Sequence, residues 1–342
     1  MIFEQVATGG CQSYLLGCDG SRAAVLIDPE DSQIDHYLGL ASQHGVRIKY
    51  VVDTHTHADH FSATNEMGKA VGATVVAFRL SPAPYVDMRL DDGDTLVAGS
   101  LRLRAMHTPG HTRDSMCLVM DDRVFTGDTL LIGGTGRTDL PTGDPHALFE
   151  SLFDKLLKLP PQTLVYPAHD YKGRQNSTIG AEIAGNPRLQ KTERAAFVEM
   201  MEHLDLAAPT HLTEALRTNM SGGKSVAQLL AEAAAKAPFM SIADLNERLG
   251  GNSRDLVVLD IREKDAFEAG HIPGARHLPR GQLELRVNSE LPDPTVRILT
   301  CCEFGKISTL AAATLRDLGF GRASALDGGM TAWREAGYAL ER

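Results

Sequence analysis

The first half of the chain alternates short apolar runs with turns, and each run has the length of a β-strand. Helical periodicity falls between only some of these runs, as in residues 145–159, where leucine or phenylalanine recurs every three or four positions. Many strands with few helices favour a layered α/β arrangement over a regular βα alternation. The apolar runs include 23–27, 73–77, 101–105 and 163–166.

The pattern changes after about residue 178. The sequence becomes alanine-rich there, and its periodicity predicts helices at 192–204 and 226–236. Between those helices, residues 219–224 read Asn-Met-Ser-Gly-Gly-Lys, which is the strongest linker signal in the chain.

A regular alternation of strand and helix follows from about residue 239. Strands are expected at 255–260 and 296–301, with helices at 263–269 and 308–318, which favours a small parallel sheet. No internal repeat relates the two halves. We therefore expect a first domain at 1–220, a linker at 221–238 and an unrelated second domain at 239–342.

The composition restricts the binding partners and the cellular compartment that we expect for this protein. The 342 residues carry a net charge of −10, which argues against nucleic acid or an anionic membrane as a partner. No apolar stretch is long enough to span a bilayer, and the N-terminus lacks the features of a secretory signal. Five cysteines, two of them adjacent at Cys301 and Cys302, are not a disulfide framework, so we expect free thiols and a cytoplasmic protein.

The run His-Thr-His-Ala-Asp-His at 55–60 carries the strongest chemical signal. It places three imidazoles and a carboxylate directly after the apolar run 50–54, as expected for ligands at the carboxyl end of a buried strand. His111, Asp128 and His169 follow later strands in the same manner. A cluster of this kind predicts a metal centre.

These four loops, at 55–60, 108–112, 125–129 and 166–173, resemble those of the metallo-β-lactamase superfamily. The resemblance covers residues 1–220 and implies a fold of α/β class, an αββα sandwich whose loops converge at one edge. Two branches compete. In the glyoxalase II branch all these ligands bind two zinc or iron ions that hydrolyse a thioester, whereas the persulfide dioxygenase branch binds one iron.

Segments 127–139 and 169–173 resemble the dioxygenase form of these loops. By position, that resemblance makes His55, His111 and Asp128 the ligands of one Fe(II) per chain. Two histidines and a carboxylate leave three positions of Fe(II) open for O2 and a substrate sulfur.

The same resemblance implies that Arg137 and Tyr171 contact the glutathione part of the substrate. A guanidinium binds carboxylates with two parallel hydrogen bonds, which suits that role. The alternatives are an ordinary loop ion pair for Arg137 and a packed aromatic ring for Tyr171.

Four further polar residues of these loops have two interpretations. In the dioxygenase branch they orient the ligands and hydrogen-bond near the substrate, whereas in the hydrolase they bind a second metal. The sequence therefore leaves a binuclear site open, and it also leaves His57 open as a ligand in place of His55. The four are His57, Asp59, His60 and His169.

The second domain resembles a single rhodanese domain, on segments 259–262, 269–275 and 326–333. Between them Cys302 follows a strand and opens a helix, where backbone N–H groups stabilise an anion and lower a thiol pKa. Cys302 would attack the outer sulfur of a donor and carry it as a persulfide. Cys301 is expected to point into the core. The sulfur-transfer loop continues through Glu303, Phe304, Gly305, Lys306, Ile307 and Ser308.

This loop departs from the common rhodanese pattern at two positions. An arginine often stands where this chain has Ile307, and Glu303 adds an acidic group beside the thiol. Lys306 is the remaining positive charge. The departure puts thiosulfate turnover in doubt, and the alternative is an inactive rhodanese-like docking module.

Together the resemblances imply a bifunctional enzyme. The iron domain would oxidise glutathione persulfide with O2 to sulfite and glutathione. The rhodanese domain would move sulfur between thiosulfate, glutathione, glutathione persulfide and sulfite. The rival function is a glyoxalase II-like binuclear hydrolase of S-acyl glutathione with an accessory rhodanese-like module. The alanine-rich stretch also suggests self-association, as a dimer.

Overall fold

The computed structural model describes residues 1–204, 206–207, 212–251 and 255–342. The chain forms two compact units, Met1–Gly223 and Lys224–Arg342. Within these ranges no helix has both the length and the apolar character needed to cross a bilayer.

The described residues of the first unit form two six-stranded sheets and a small hairpin. In the first sheet the order is β1 to β6, antiparallel from β1 to β3 and parallel from β3 to β6. Its strands are β1 Ile2–Thr8, β2 Cys11–Gly17, β3 Ala23–Ile27, β4 Arg47–Val52, β5 Thr74–Phe78 and β6 Met88–Leu90.

The second sheet has the order β14-β13-β10-β9-β8-β7, and only β10 and β13 run parallel. Its strands are β7 Thr95–Ala98, β8 Leu101–His107, β9 Met116–Val119, β10 Arg123–Gly127, β13 Leu164–Pro167 and β14 Ser177–Thr178, and the hairpin between them is β11 Leu130–Leu131 with β12 Gly134–Thr135.

One core lies between the sheets and two more lie under the helices. Strand β8 alternates buried Leu101 and Leu103 with exposed arginines, which turns its apolar side toward the other sheet. The helices of the first unit are α1 Ile34–Gln43, α2 Thr64–Val71, α3 Pro145–Phe149, α4 Ile179–Gly185, α5 Arg194–Glu202 and α6 Leu212–Ser221. Helices α1 and α2 cover the first sheet, and α3 to α5 cover the second. This layering confirms the predicted αββα sandwich.

The second unit has a five-stranded sheet among its described residues, ordered β15-β19-β18-β16-β17 and parallel throughout, as the sequence predicted. Its strands are β15 Phe239–Met240, β16 Leu256–Asp260, β17 Arg276–His277, β18 Arg297–Cys301 and β19 Ala323–Leu326. Its helices are α7 Val226–Lys236, α8 Ile242–Gly250, α9 Lys264–Ala269, α10 Leu283–Glu290, α11 Lys306–Asp317 and α12 Gly329–Glu335.

Helix α7 lies inside the range that the sequence analysis expected for the linker. Its Ala233, together with Ala237 just past its end, forms a buried cluster of small side chains with Ala312 and Ala313 of α11. Alanine lets two helices approach closely, so this alanine-rich segment belongs with the second unit.

Candidate functional site

One buried carboxylate, that of Asp28, supports the histidine-rich loop that follows β4. Asp28, at the end of β3, accepts hydrogen bonds from the Thr54 backbone N–H at 2.7 Å and from its hydroxyl at 2.9 Å. The same carboxylate lies 3.2 Å from His57 Nε2. Because β3 and β4 are parallel neighbours, both carboxyl ends meet at this edge of the sheet.

Three side chains from the loops after different strands lie close together next to this carboxylate. The donor atoms of His55, His111 and Asp128 all lie within 4.8 Å of one another. His111 Nε2 is 3.6 Å from Asp128 Oδ2, and the His55 and His111 rings are 5.0 Å apart. These are the three residues that the sequence analysis assigned to iron.

Hydrogen bonds fix the tautomers of both imidazoles. His111 Nδ1 donates to the Arg137 carbonyl at 2.8 Å, which leaves the Nε2 lone pair facing Asp128. The Thr54 hydroxyl donates to Asp28, so it accepts from His55 Nδ1 at 3.0 Å. His55 Nε2 is then a bare, buried lone pair without a partner in the described part of the chain.

This arrangement fits a metal ion. A buried polar atom is nearly always satisfied, and an unpartnered imidazole lone pair beside a carboxylate is what a cation would complete. Burial, and then the neighbouring His57, hold the pKa of His55 well below its usual value, which keeps the ring neutral as a ligand must be. Gly136 closes the site, since a Cβ there would lie 2.1 Å from the Asp128 carbonyl oxygen.

His57 does not join these three donors. Its Nε2 faces Asp28 at 3.2 Å and Asp53 at 3.6 Å, on the side of the supporting carboxylates. Its other nitrogen, Nδ1, is buried without a partner among the described residues. Burial opposes its charge, but the two carboxylates hold the pKa of His57 well above its usual value. The geometry therefore favours His55 over His57 as the ligand.

His169 lies between the three donors and a second group of polar side chains. Its Nδ1 donates to Asp128 Oδ1 at 2.7 Å, and its Nε2 lies 2.7 Å from Asp59 Oδ2. Burial opposes its charge, yet the Asp128 carboxylate and then Asp59 raise the pKa of His169 well above its usual value. His169 thus orients the carboxylate of Asp128 and leaves Oδ2 for the metal.

Sequence reasoning missed Cys11, which belongs to this second group. Its thiol lies 3.5 Å from His169 Nε2 and 3.6 Å from His60 Nδ1. Burial raises its pKa, but hydrogen bonds to the two imidazoles outweigh burial and lower the pKa of Cys11 to about 7. A single cysteine at the start of a strand gives no sequence signal for such a contact.

Sequence reasoning also missed Asn219, on helix α6. Its amide nitrogen donates to the carbonyls of His57 and His60, both at 2.9 Å, and its oxygen accepts from the Ser62 N–H at 3.0 Å. The residue is buried, and its own carbonyl accepts from the Tyr85 hydroxyl. Asn219 therefore clamps the ligand loop at three points.

Replacing Asn219 by alanine is expected to loosen that loop. Each buried group left without its partner costs about 1–3 kcal/mol, so the free energy of unfolding should fall by about 2 kcal/mol or more. Affinity for the metal ion should fall by about tenfold, because side chains that position metal ligands have effects of that size. Denaturant unfolding of the metal-free protein and a metal titration measure the two effects.

Asn65→Ala is the matched control, since the Asn65 amide contacts only its neighbour Glu66 among the described residues. Both measured quantities should stay at the wild-type value in that variant. If Asn219→Ala binds the metal ion as tightly as the parent, the Asn219 hydrogen bonds do not position the histidine-rich loop.

A cavity of about 630 Å³ opens beside these groups. This volume is in the range of small-molecule sites. Its wall includes His111, Asp128 and His169 together with Cys11, Asp59, Arg137, Tyr171, Lys172, Arg174 and Arg188. The wall thus joins the metal-ligand candidates to several cations.

Both residues predicted to hold glutathione line this cavity. Tyr171 is 75% exposed and stacks on His169 with ring centroids 5.9 Å apart. Arg137 is already held by both carboxylate oxygens of Asp139 at 2.6 Å and by the Ala207 carbonyl at 2.7 Å. The guanidinium of Arg137 therefore forms hydrogen bonds with neighbouring protein groups, which agrees with the alternative of an ordinary loop ion pair.

Arg188 is a further cation on the cavity wall, which the sequence analysis did not identify. Its Nη1 donates to the backbone and hydroxyl of Thr135 at 2.7 and 3.0 Å. Burial lowers the pKa of Arg188, but its guanidinium stays charged in proteins. In the sequence, Arg188 stands out only because it follows Asn186 and Pro187 just past the end of helix α4.

The second unit places Cys302 directly after β18, in the short loop that leads into helix α11. Its sulfur accepts a hydrogen bond from the Ser308 N–H at 3.2 Å and lies 3.4 Å from the Ser308 hydroxyl. Gly305 has φ of +83°, which turns the loop into the helix. Cys301 is fully buried in the core, as predicted, and burial raises its pKa far above the usual value.

The acidic side chain of this loop is paired with arginines away from the thiol. Glu303 forms ion pairs with Arg262 at 3.3 Å and with Arg334. Phe304 and Ile307 are 69% and 52% exposed, so apolar side chains border the loop where an arginine is common in rhodaneses. The acidic group beside the thiol is thus neutralised by the scaffold.

Comparison with known proteins places two families along the chain. Residues 6–169 match the metallo-beta-lactamase superfamily, and residues 241–336 match the rhodanese-like domain family. The mitochondrial persulfide dioxygenase ETHE1 of Homo sapiens is 39% identical over 214 residues, which covers 62% of this chain and 84% of that protein.

Two solved structures extend the comparison. ETHE1 from Myxococcus xanthus superimposes with a TM-score of 0.64 at 39% identity, covering 66% of this chain and 100% of that one. A metallo-beta-lactamase from Staphylococcus aureus superimposes with a TM-score of 0.62 at 22% identity over 96% of this chain and 98% of its own, which supports the fold alone.

Proposed function

Because this chain belongs to the persulfide dioxygenases of the metallo-β-lactamase superfamily and carries a C-terminal rhodanese domain, we propose that it both oxidises glutathione persulfide and transfers sulfane sulfur. The first reaction consumes O2 and water and yields sulfite and glutathione. The second interconverts thiosulfate and glutathione with sulfite and glutathione persulfide. Both reactions act on the same outer sulfur atom.

One observation carries the dioxygenase proposal. The donor atoms of His55, His111 and Asp128 all lie within 4.8 Å of one another, and the Oδ1 atom of Asp128 accepts a hydrogen bond from His169. Two imidazoles and one carboxylate are the donor set of non-heme Fe(II) oxygenases. The residues that would hold iron are therefore these three, and the ion would supply O2 activation beside a bound persulfide.

The residues around them bind and orient the substrate. Arg188 and Lys172 offer positive charge to the carboxylates of glutathione, and Tyr171 offers an aromatic wall and a hydroxyl. Arg137 shapes this wall through its own ion pair with Asp139 and through its carbonyl, which orients His111.

The transfer reaction depends on Cys302. Its thiolate attacks the outer sulfur of thiosulfate, the sulfur–sulfur bond of the donor breaks, and sulfite leaves with the electron pair. The cysteine persulfide is then attacked at its outer sulfur by glutathione thiolate, which forms glutathione persulfide and restores Cys302. The Ser308 N–H stabilises the negative sulfur in both states.

Oxygen consumption tests the dioxygenase proposal most directly. Protein purified without oxygen, stripped of metal and loaded with Fe(II) should take up O2 on addition of glutathione persulfide and release sulfite, with about one iron per chain. Absence of uptake together with hydrolysis of S-lactoylglutathione would assign the first unit to the glyoxalase II class.

Replacing Arg188 by glutamine is expected to raise the KM for glutathione persulfide by about tenfold or more. A hydrogen bond to a charged group contributes about 1.5–3 kcal/mol, and 1.4 kcal/mol is a factor of ten. The kcat should change little, since Arg188 holds the glutathione part rather than the reacting sulfur. Steady-state O2 uptake over a range of substrate concentrations measures both constants.

Arg102→Gln is the control, because Arg102 points outward from β8. An unchanged KM in Arg188→Gln would mean that another cation of the wall holds the substrate.

A further inference from the structure

A second cavity, of about 370 Å³, lies beside the Cys302 loop within the second unit. Its volume falls in the range of small-molecule sites. We call it the α7 cavity, because helix α7 forms one of its walls. The transfer steps described above assign no role to it. Its wall consists of Leu230, Ala231 and Ala234 of α7, Phe239 of β15, Phe304 and Gly305 of the loop, Lys306 and Thr309 of α11, and Asp327 and Gly328 after β19.

The α7 wall lies outside the segment that matches the rhodanese-like domain. That match begins at residue 241, whereas α7 ends at Lys236. The helix is held against α11 by the cluster of buried alanines and by an ion pair of 3.0 Å between Lys236 and Asp317. The α7 cavity is therefore formed before a ligand binds, which lowers the entropic cost of binding.

Two exposed side chains of opposite charge belong to this wall, Lys306 and Asp327. Within the described ranges neither has an ion-pair partner, in contrast to Glu303 of the same loop, which pairs with two arginines. The two charges cancel, so the α7 cavity gives no advantage to a dianion such as thiosulfate. It suits a ligand that carries a cation and an anion close together.

The position of Lys306 is unfavourable for the helix that it begins. Lys306 is the first residue of α11, and no acidic residue stands in that first turn. The N-terminus of a helix carries a partial positive charge, so a lysine there lowers helix stability. A carboxylate bound beside Lys306 is attracted by the side chain and by the helix end together, which gives this cation a function.

The rest of the wall is largely apolar. Phe304 and Phe239 are 69% and 50% exposed, although phenylalanine is among the residues most often buried. Leu230 and the alanines of α7 add aliphatic surface. The α7 cavity therefore offers cover for a methylene chain next to its pair of charges.

We propose that the α7 cavity binds the γ-glutamyl group of glutathione, with the α-carboxylate on Lys306 and the α-ammonium group on Asp327. A γ-glutamyl group carries both charges on one carbon, and two methylene groups connect that carbon to the peptide bond. This assignment rests on the proposed transfer reaction and names the residues that select its thiol substrate.

The thiol of a glutathione bound in this way can reach Cys302. The cavity wall begins at Phe304, which is two residues and therefore at most about 7 Å of chain from Cys302. A tripeptide spans up to about 10 Å. The γ-glutamyl group can thus occupy the α7 cavity while the cysteine of the same molecule meets the sulfur carried by Cys302.

Ala234→Phe tests this assignment by filling the α7 cavity. Ala234 is exposed on α7, so the larger side chain takes up cavity space without entering the core. In transfer from thiosulfate, the KM for glutathione should rise by about tenfold, whereas the KM for 2-mercaptoethanol, which has no γ-glutamyl group, should change by less than about twofold. Ala235→Phe is the matched control, because Ala235 is equally exposed on α7 but does not line the cavity.

Asp327→Asn removes one charge of the pair and keeps the size of the side chain. The KM for glutathione should rise by about fivefold, since an exposed charge pair contributes less than a buried one. Deaminoglutathione, which lacks the α-ammonium group, should show the same loss with the parent, and the two losses should not add. Asp265→Asn is the control, because Asp265 is exposed on α9, which contributes nothing to this wall.

Protection of Cys302 from alkylation tests binding without any transfer. S-methylglutathione has no free thiol, so it occupies the α7 cavity without reacting. It should slow the modification of Cys302 by iodoacetamide in the parent and in Ala235→Phe, and about tenfold more should be needed in Ala234→Phe. Tandem mass spectrometry of the peptide that carries Cys302 follows the modification, so glutathione sites in the first unit do not contribute.

The outcomes separate this assignment from the proposed function. Absence of protection in the parent, or equal protection of the parent and Ala234→Phe, would overturn the γ-glutamyl site. If thiosulfate and glutathione release no sulfite while S-methylglutathione protects Cys302, the proposed transfer fails and the site stands. Transfer with one KM for glutathione in the parent, Ala234→Phe and Asp327→Asn would leave the reaction in place and exclude the α7 cavity from it. Circular dichroism of each variant shows that the chain is folded.

Discussion

Replacing Asp128 by asparagine is expected to remove iron binding and O2 uptake almost completely. One carboxylate oxygen faces the His111 Nε2 at 3.6 Å, and the other accepts from His169 at 2.7 Å. An amide has no charge, and it offers only one oxygen for these two partners. Substitution of a group that only positions metal ligands already lowers metal affinity or activity about 10- to 100-fold. The loss for Asp128→Asn should therefore exceed about 100-fold.

Iron content and O2 uptake with glutathione persulfide, measured on the same sample, check this result. Asp144→Asn is the matched control, because Asp144 caps helix α3 through the His146 and Ala147 N–H groups and asparagine caps helices equally well. A variant Asp128→Asn that keeps one iron per chain and wild-type uptake would exclude this residue as a ligand.

The imidazoles around Asp128 also determine its charge state. Desolvation opposes ionisation, but the neighbouring imidazoles, His169 first, hold the pKa of Asp128 well below its usual value. An aspartate with a depressed pKa stays ionised when the pH falls through the usual carboxyl range, so its charge is still available to a metal ion there. The imidazoles, rather than this carboxylate, should then limit metal binding in acid.

The strand and loop order of the first unit could be predicted because each strand is a short apolar run that ends in a polar loop. Strand β10 is buried from Val124 to Gly127, and the carboxylate follows at once. Which strands lie side by side is not encoded in such runs. Phe125 pairs with Tyr166 across parallel strands β10 and β13, and that pairing brings Asp128 to His169.

Contacts from distant segments were beyond the sequence analysis. Asn219 reaches the ligand loop from a helix more than 150 positions later in the chain, and no local pattern marks one asparagine among several. The same holds for Cys11, which meets His169 across a backbone bridge. The resemblance to a known family identified the loops that carry the site residues. The distant residues that contact these loops are determined by tertiary packing, which the sequence does not show.

Arg137 illustrates the reverse case. The resemblance to the dioxygenase branch implied a substrate contact at this position, and Arg137 does line the cavity. However, the carboxylate of Asp139, two residues later, accepts hydrogen bonds from two guanidinium nitrogens of Arg137. A carboxylate so close in sequence reaches the arginine at little entropic cost. Local pairing of this kind competes with a ligand for the same hydrogen-bond donors.

Replacing Cys302 by serine is expected to abolish sulfur transfer and to leave O2 uptake unchanged. The thiolate is the group that accepts and carries sulfur. A serine hydroxyl stays protonated even beside the Ser308 N–H donor, and it cannot hold sulfane sulfur. Removal of a covalent nucleophile costs several powers of ten, so transfer should fall by more than about 1000-fold. Sulfite release from thiosulfate and glutathione measures transfer, and an oxygen electrode measures the other reaction.

Cys301→Ser is the matched control, because the two cysteines are adjacent but only Cys302 faces the loop. Cys301 is fully buried at the end of β18, its sulfur lies 3.6 Å from the Cys302 carbonyl, and its high pKa keeps it protonated. Transfer that survives in Cys302→Ser and is lost in Cys301→Ser would make Cys301 the carrier. Transfer missing from the parent itself, with O2 uptake intact, would make the second unit a binding module, since Glu303 and the apolar rim at Phe304 would then serve recognition rather than turnover.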